Sequence, residues 1–202
     1  MALITAAEAR LFIPALTGTG SDTELDRLIA SADAVLARWC GWPPAAAGGA
    51  ATFEDVTYTD YLDGPSLTVP TALQLPVFPV QSVTSIAKDD QGDWSYSDTI
   101  AAGDYTLDGR TGLVYLNPDA SEGWTSGVRA MKVVYVAGFA TIPDDIKEAC
   151  ALLVAHWWGL RKNRGKQNAS ANGQNAGFRP ETLPHNVVQL IAQYRRADLY
   201  IG

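Results

Sequence analysis

Few side chains of this sequence could do chemistry. His156 and His185 are its two histidines, and its carboxylates cluster as Asp60 with Asp63, Asp89-Asp90 with Asp93, and Asp144-Asp145. Paired carboxylates can hydrolyse a glycosidic bond or hold a divalent cation, and an imidazole can act as general base. Here most of the aspartates lie beside glycine in turn-like segments or at a helix start, where Asp is favoured because it bonds free backbone amides. His156 stands between Ala155 and Trp157 in an apolar helical pattern, the setting of a structural or hydrogen-bonded imidazole, and no nucleophile is spaced to partner it. No P-loop, GxGxxG, HExxH, GxSxG or EF-hand pattern occurs. Cys40 and Cys150 lack CxxC spacing and a nearby His, so they read as buried free thiols, with a disulfide between them the open alternative. The expectation is a non-enzymatic chain with no catalytic residue, no metal and no cofactor.

Binding chemistry is better represented. Trp94, Trp124, Tyr96 and Tyr105 could form a platform for sugar rings, although such residues more commonly serve a core or an interface. The stretch Arg161–Lys166 is a cationic cluster of Arg161, Lys162, Arg164 and Lys166, and Arg179, Arg195 and Arg196 follow it. The charges are segregated: residues 1–160 hold 8 Lys+Arg against 20 Asp+Glu, hence −12, and residues 161–202 hold 7 against 2, hence +5. Surfaces of opposite sign imply contact with an acidic partner, with nucleic acid or with a second copy. The basic cluster has no aromatic interleaving and the body is acidic, which disfavours a sequence-specific reader of DNA. These seven cations are the candidate partner interface.

Local grammar places these residues on elements. At 202 residues with 47% hydrophobic and 18% charged residues, the chain can bury one sizeable core. Thr5 with Glu8 and Ser21 with Glu24 fit capping boxes, so two helices open the chain. The second carries Leu25, Leu28, Ile29, Ala32, Val35, Leu36 and Trp39 at helical spacing and ends at Gly41, with Pro43, Pro44 and an Ala/Gly linker beyond. From Thr52 to Gly138 the pattern is that of strands, expected at Val56–Leu62, Ser66–Val69, Val80–Lys88, Trp94–Tyr96, Asp104–Leu107, Gly112–Leu116 and Val128–Val136. "YTLDGRTGLVYL" is the clearest hairpin, turning at Asp108-Gly109. Thr141 and Pro143 then open a central helix with acidic residues at its dipole-positive end and Ile146, Ala149, Cys150, Leu152, Leu153 and Trp157 on its apolar stripe.

"GKQNASANGQNAG" reads as a mobile loop, and Pro184 starts a last helix with Val187, Leu190, Ile191 and Tyr194 on one side. The fold class is α+β: a small helical bundle built from residues 1–42, 141–162 and 183–202, with an inserted antiparallel β module at 52–138 and a flexible basic and polar loop at 163–182. The opening residues, broken by Glu8 and Arg10, read as a helix rather than a signal peptide, and no apolar run reaches membrane-spanning length.

Three ordered segments carry a family resemblance. "VVYVAGFATIPDDIKEACALLVAHWWGLR", Val133–Arg161, resembles the tailed-phage head–tail connector family, also described as adaptor or head completion proteins. There a strand ending in Tyr-x-Ala-Gly-aromatic precedes a Pro-led helix with an Ile-Lys-x-Ala core. The matching positions are Tyr135, Ala137, Gly138, Phe139, Pro143, Asp145, Ile146, Lys147, Ala149, Trp157, Trp158 and Arg161. "SDTELDRLIASADAVLARWCGW" is similar to the family's first long helix, and "LQLPVFPVQSVTSI" to its Leu-Pro-x-x-Pro-Val run.

The resemblance implies a structural virion protein at the head–tail interface, made in the host cytoplasm. It implies a homo-oligomeric ring of about twelve copies bound below the portal protein, extending the DNA channel and receiving the next neck, stopper or tail protein. DNA would pass without sequence-specific binding. The reading left beside it is a carbohydrate-binding or hydrolytic protein using the β module; a small DNA-binding protein comes third.

Overall fold

The structure is a computed structural model that describes residues 2–14, 16–44, 46, 48–65, 72–161, 168–171, 174–177 and 183–196, the segments 168–171 and 174–177 as backbone. It is α+β, as the sequence implies, and divides into two compact units. The first comprises the described residues of Met1–Gly41 and Ile142–Ala197, the second those of Trp42–Thr141.

The first unit is helical. Helix α1, Ala6–Leu11, starts at the expected capping box: Thr5 Oγ1 accepts the Glu8 amide and Glu8 returns to the Thr5 amide at 2.7 Å. The Thr5 amide and hydroxyl, both donating to the Glu8 carboxylate, hold it below its usual range. Helix α2, Asp22–Trp39, has no such box, which corrects the expectation: Ser21 makes no side-chain cap and Glu24 pairs instead with Arg161 at 3.1 Å. Leu25, Ile29, Ala32 and Leu36 are buried along α2, and Gly41 ends it at φ 78°, a conformation that disfavours any Cβ.

Helix α3, Asp144–Leu160, packs against α2 and against α4, His185–Ile191, which continues as a 3-10 turn over Ala192–Tyr194. Its buried face is Ile146, Ala149, Cys150, Ala151, Leu153, Val154 and Trp158. Trp158 rather than Trp157 therefore completes the core; Ala151, Val154 and Trp158 extend the stripe by 3-4 steps around the helix, which brings in the second tryptophan. Strands β8 and β9, Asn168–Ala171 and Gln174–Gly177, pair antiparallel within the stretch expected as a loop. A ladder made by backbone groups alone needs no apolar alternation, so composition did not announce it.

The second unit holds two sheets. One has the order β1-β7-β3-β4, with β1 Val56–Gly64, β3 Val80–Lys88, β4 Asp98–Ile100 and β7 Gly127–Ala137. The other has the order β2-β6-β5, with β2 Ala72–Gln74, β5 Tyr105–Asp108 and β6 Leu113–Leu116. All pairings are antiparallel. Central β7 buries Met131, Val133, Tyr135 and Ala137 at alternate positions, the period-2 pattern of a strand with one face in a core. Tyr135, with 0% exposure, donates its hydroxyl to Asp60 at 2.6 Å and accepts the Val77 amide at 3.2 Å.

Two strand expectations need adjustment, and a third falls where nothing tests it. Ser66–Val69 lies outside the described residues, apart from the observed strand β2. Trp94–Tyr96 is not a strand: buried Asp89 accepts the amides of Gly92, Asp93 and Trp94 and winds the chain into a turn. The β5–β6 hairpin closes through a four-residue loop, since Asp108 pairs with Leu113, and the Asp108 side chain bonds the Arg110 amide and the Thr111 hydroxyl.

Candidate functional site

Of the seven cations expected to form a partner interface, Lys162, Arg164, Lys166 and Arg179 lie outside the described residues. Arg161 is already engaged in the helical unit. Its guanidinium lies 3.4 Å from the centroid of the Trp158 ring while Nη1 pairs with Glu24. Stacking of a partly exposed guanidinium on indole contributes about 0.5–1 kcal/mol, and the ring and carboxylate together hold the helix end from which the basic stretch departs. Arg195 lies over Trp39 at 5.5 Å, and the Arg196 amide donates to the Cys40 carbonyl at 2.8 Å. Described cations of the tail thus stand on tryptophans of α2 and α3, an arrangement that residue spacing alone does not announce.

The carboxylates have local work. Asp89 caps its turn; Asp90 accepts Thr125 Oγ1 and pairs with Lys88 at 3.0 Å. Lys88, almost buried, also meets Glu122 at 2.6 Å, and that hydrogen bond is the main reason its ammonium is held above the usual range. Asp63 accepts the Arg129 amide at 2.7 Å, and Asp93 accepts the Ser95 amide at 3.0 Å. Asp145 receives Gln193 and Tyr194. Among the described residues no group of three or more His, Cys, Asp or Glu is placed to hold a metal ion, and no described helix is long and apolar enough to cross a membrane. His156 is exposed on α3 rather than packed in the core.

Cys40 and Cys150 are both buried and free. Burial pushes the Cys40 thiol up to about 12, partly opposed by the charge of Arg195. Cys150 is pushed up further, by burial first and then by Asp33, which its thiol contacts at 3.2 Å.

The aromatic residues considered as a platform do not act as one set. Trp124 and Tyr105 are half-buried and make no ring contact among the described residues. Trp94, 61% exposed, and Tyr96 join Tyr61, and Arg129 projects into the group: its guanidinium lies 4.9 Å from the Tyr61 ring centroid and 5.3 Å from that of Trp94. Tyr61, Arg129 and Lys132 were not singled out from the sequence. The available signal was the break in the β7 alternation, where Val128 and Arg129 are both exposed just before buried Ala130 and Met131.

Comparison with known proteins gives the chain relatives. The chain is 18% identical to a protein in the neck of an empty GTA particle, computed with C6 symmetry, with a TM-score of 0.60 over 99% of this chain and 93% of the other. It is 20% identical to a protein in the neck of a native GTA particle, computed with C12 symmetry, with a TM-score of 0.57 over 98% and 91%. At such identities the likeness establishes a shared fold. No curated protein matches. The model of the head completion protein family matches residues 2–197, nearly the whole length, and the chain belongs to the head completion protein family.

Proposed function

We propose that this chain is a structural component of the neck between a virion head and its tail, acting as an adaptor ring below the portal. The observation that carries the reading is the family match across residues 2–197, supported by a fold shared end to end with proteins from particle necks. In this reading identical copies close into a ring by a heterologous interface, one surface of each copy against a different surface of the next. The ring continues the DNA channel and offers its far side to the next neck, stopper or tail protein. A non-enzymatic role is the reading for carboxylates that, like Asp89 and Asp90, cap a turn and pair with lysine.

The basic tail, Arg161, Lys162, Arg164, Lys166, Arg179, Arg195 and Arg196, is the proposed contact with an acidic neighbour. Arg161 serves in it as the anchored end, because Trp158 and Glu24 hold it. The governing experiment removes the gene for this chain and examines the particles. The expected outcome is heads that lose packaged DNA and fail to join tails. Particles that keep their DNA and carry tails normally would overturn the reading. Serine at Lys162, Arg164 and Lys166 should leave the monomer folded and impair docking to the portal; unchanged docking removes the tail from the interface.

A further inference from the structure

The described backbone has three non-glycine residues at positive φ: Trp94 at 62°, Tyr96 at 49° and Arg129 at 53°. Bulky side chains pay for that conformation in steric energy, and strained residues persist where surrounding structure holds them for a purpose. All three meet in one place. Leu62 pairs with Met131 and Gly64 with Gly127, so β7 carries extra residues opposite Asp63, a bulge centred on Val128–Ala130. A bulge re-aims side chains, and here it is stitched from several sides. The Arg129 amide donates to Asp63, the Arg129 carbonyl accepts the Tyr96 hydroxyl at 2.8 Å, and the Ala130 carbonyl accepts the Asp89 amide at 2.9 Å.

Only the bond between buried Asp89 and Ala130 lies in the core; the other two are at the surface. They present Trp94, 61% exposed, and Tyr61, 40% exposed, against the Arg129 guanidinium, with Val128, 78% exposed, on the bulge itself. Tyr96 packs on Tyr61 at 5.3 Å, and Lys132 stands 5.9 Å from the Tyr61 ring. Tryptophan, tyrosine and arginine held rigidly at a surface are the composition of an interface hot spot.

We propose that the Tyr61, Trp94, Tyr96, Arg129 and Lys132 cluster is a docking surface for a carboxylate-bearing face of the β unit of a second copy of this chain. The proposal rests on the ring reading and gives it a contact separate from the basic tail. Charge complementarity selects the occupant. Residues 52–138 hold 4 Lys+Arg against 12 Asp+Glu, hence −8, and two of those four cations are Arg129 and Lys132. Neither makes an ion pair among the described residues. The nearby carboxylates of Asp63, Asp89 and Asp93 are turned to backbone amides instead. A neighbouring copy can set a few exposed carboxylates, for instance Asp119, directly opposite the two cations, whereas the continuous phosphate rows of duplex DNA would also run against the acidic remainder of the unit.

Glycine is at ease at positive φ, so Trp94→Gly and Arg129→Gly remove side chains while favouring the native backbone. The test measures sedimentation of the full chain up to about 1 mM, alongside the double variant, with circular dichroism as the check on folding; at that concentration a face able to hold a neighbour shows its affinity. Carbodiimide cross-linking of mixed isotope-labelled and unlabelled protein gives a second readout.

Expected are multimers of the natural chain, a shift of assembly to at least about tenfold higher concentration in the folded variant, and cross-links joining Lys132 of one copy to Asp or Glu of another. Multimers unaffected by the double variant would overturn the docking surface and leave the ring reading standing. A natural chain that stays monomeric and yields no cross-link would overturn it too, while the ring itself is judged in particles. Unchanged self-association with lost binding to a 20-base-pair duplex would assign the cluster to phosphate, also against the proposal.

Discussion

Asp145 shows how much a single side chain can hold. It lies in the first turn of α3, where negative charge suits the helix dipole, and it accepts the Tyr194 hydroxyl at 2.7 and 2.8 Å together with Gln193. Burial, then the bond and charge of Asp145, push the Tyr194 phenol up to about 12. Because the folded state holds this proton more tightly than the unfolded chain, the contribution is fully present below the ordinary phenol value of about 10. It is lost as pH rises from there through about 12. Tyr194→Phe should lower unfolding free energy at neutral pH by about 1–2 kcal/mol, measured by denaturant titration. The gap from the natural chain should close over that alkaline window; a gap independent of pH would remove the hydroxyl from the account. The thiols make a second residue-scale case. At pH 8, iodoacetamide should leave Cys40 and Cys150 unmodified in the folded protein and alkylate both in guanidinium, read by intact mass. Rapid labelling of either in the folded state would contradict the burial that raises both thiols.

At the scale of elements, the turn after β7 and the turn after β3 are fixed by different means. Gly138 at φ 127° lies where a Cβ would run into the Glu54 carbonyl, and its amide donates to Pro79 at 2.9 Å. Gly138→Ala should therefore cost at least about 2–4 kcal/mol, seen as a lower unfolding midpoint; a neutral substitution would mean the two segments can part freely. Asp89→Ala strips three amides of their acceptor and should cost about 2 kcal/mol, with faster hydrogen exchange at Gly92, Asp93 and Trp94.

The sequence makes these two turns unequally legible. Gly138 stands out at the end of an alternating run, and β3 was expected over the range at which it occurs, because β-branched alternation and a proline at its edge are local signals. Trp94–Tyr96 reads as a strand because tryptophan and tyrosine favour strands, and the bonds that make it a turn come from an aspartate five residues back. The stripe on α3 reaches Trp157 by spacing while Trp158 is the buried one, for a similar reason: periodicity defines a stripe, and only packing against α2 and α4 sets how wide it is. The Arg161–Glu24 pair and the Arg129 cluster depend on residues far apart in sequence, a kind of information that spacing along the chain does not hold.

The whole molecule is governed by segregated charge, −12 over residues 1–160 and +5 beyond. In the proposed ring, DNA must pass rather than bind, and an acidic body opposes the counterion-releasing contacts that hold proteins on a duplex. The opposite expectation attaches to a small DNA-binding protein working through its basic tail, which would bind free duplex tightly at low salt. Measuring mobility shifts of a 30-base-pair duplex against the full chain separates the two. For a neck adaptor the expected dissociation constant stays above about 10 μM at 0.15 M salt, because seven tail cations act against a charge of −12 over residues 1–160. Submicromolar binding that survives 0.3 M salt would show that the tail outweighs the body and that the chain grips DNA. Weak binding restored by replacing acidic residues of the body with their amides would locate the repulsion there, on the surface that a channel-lining protein needs.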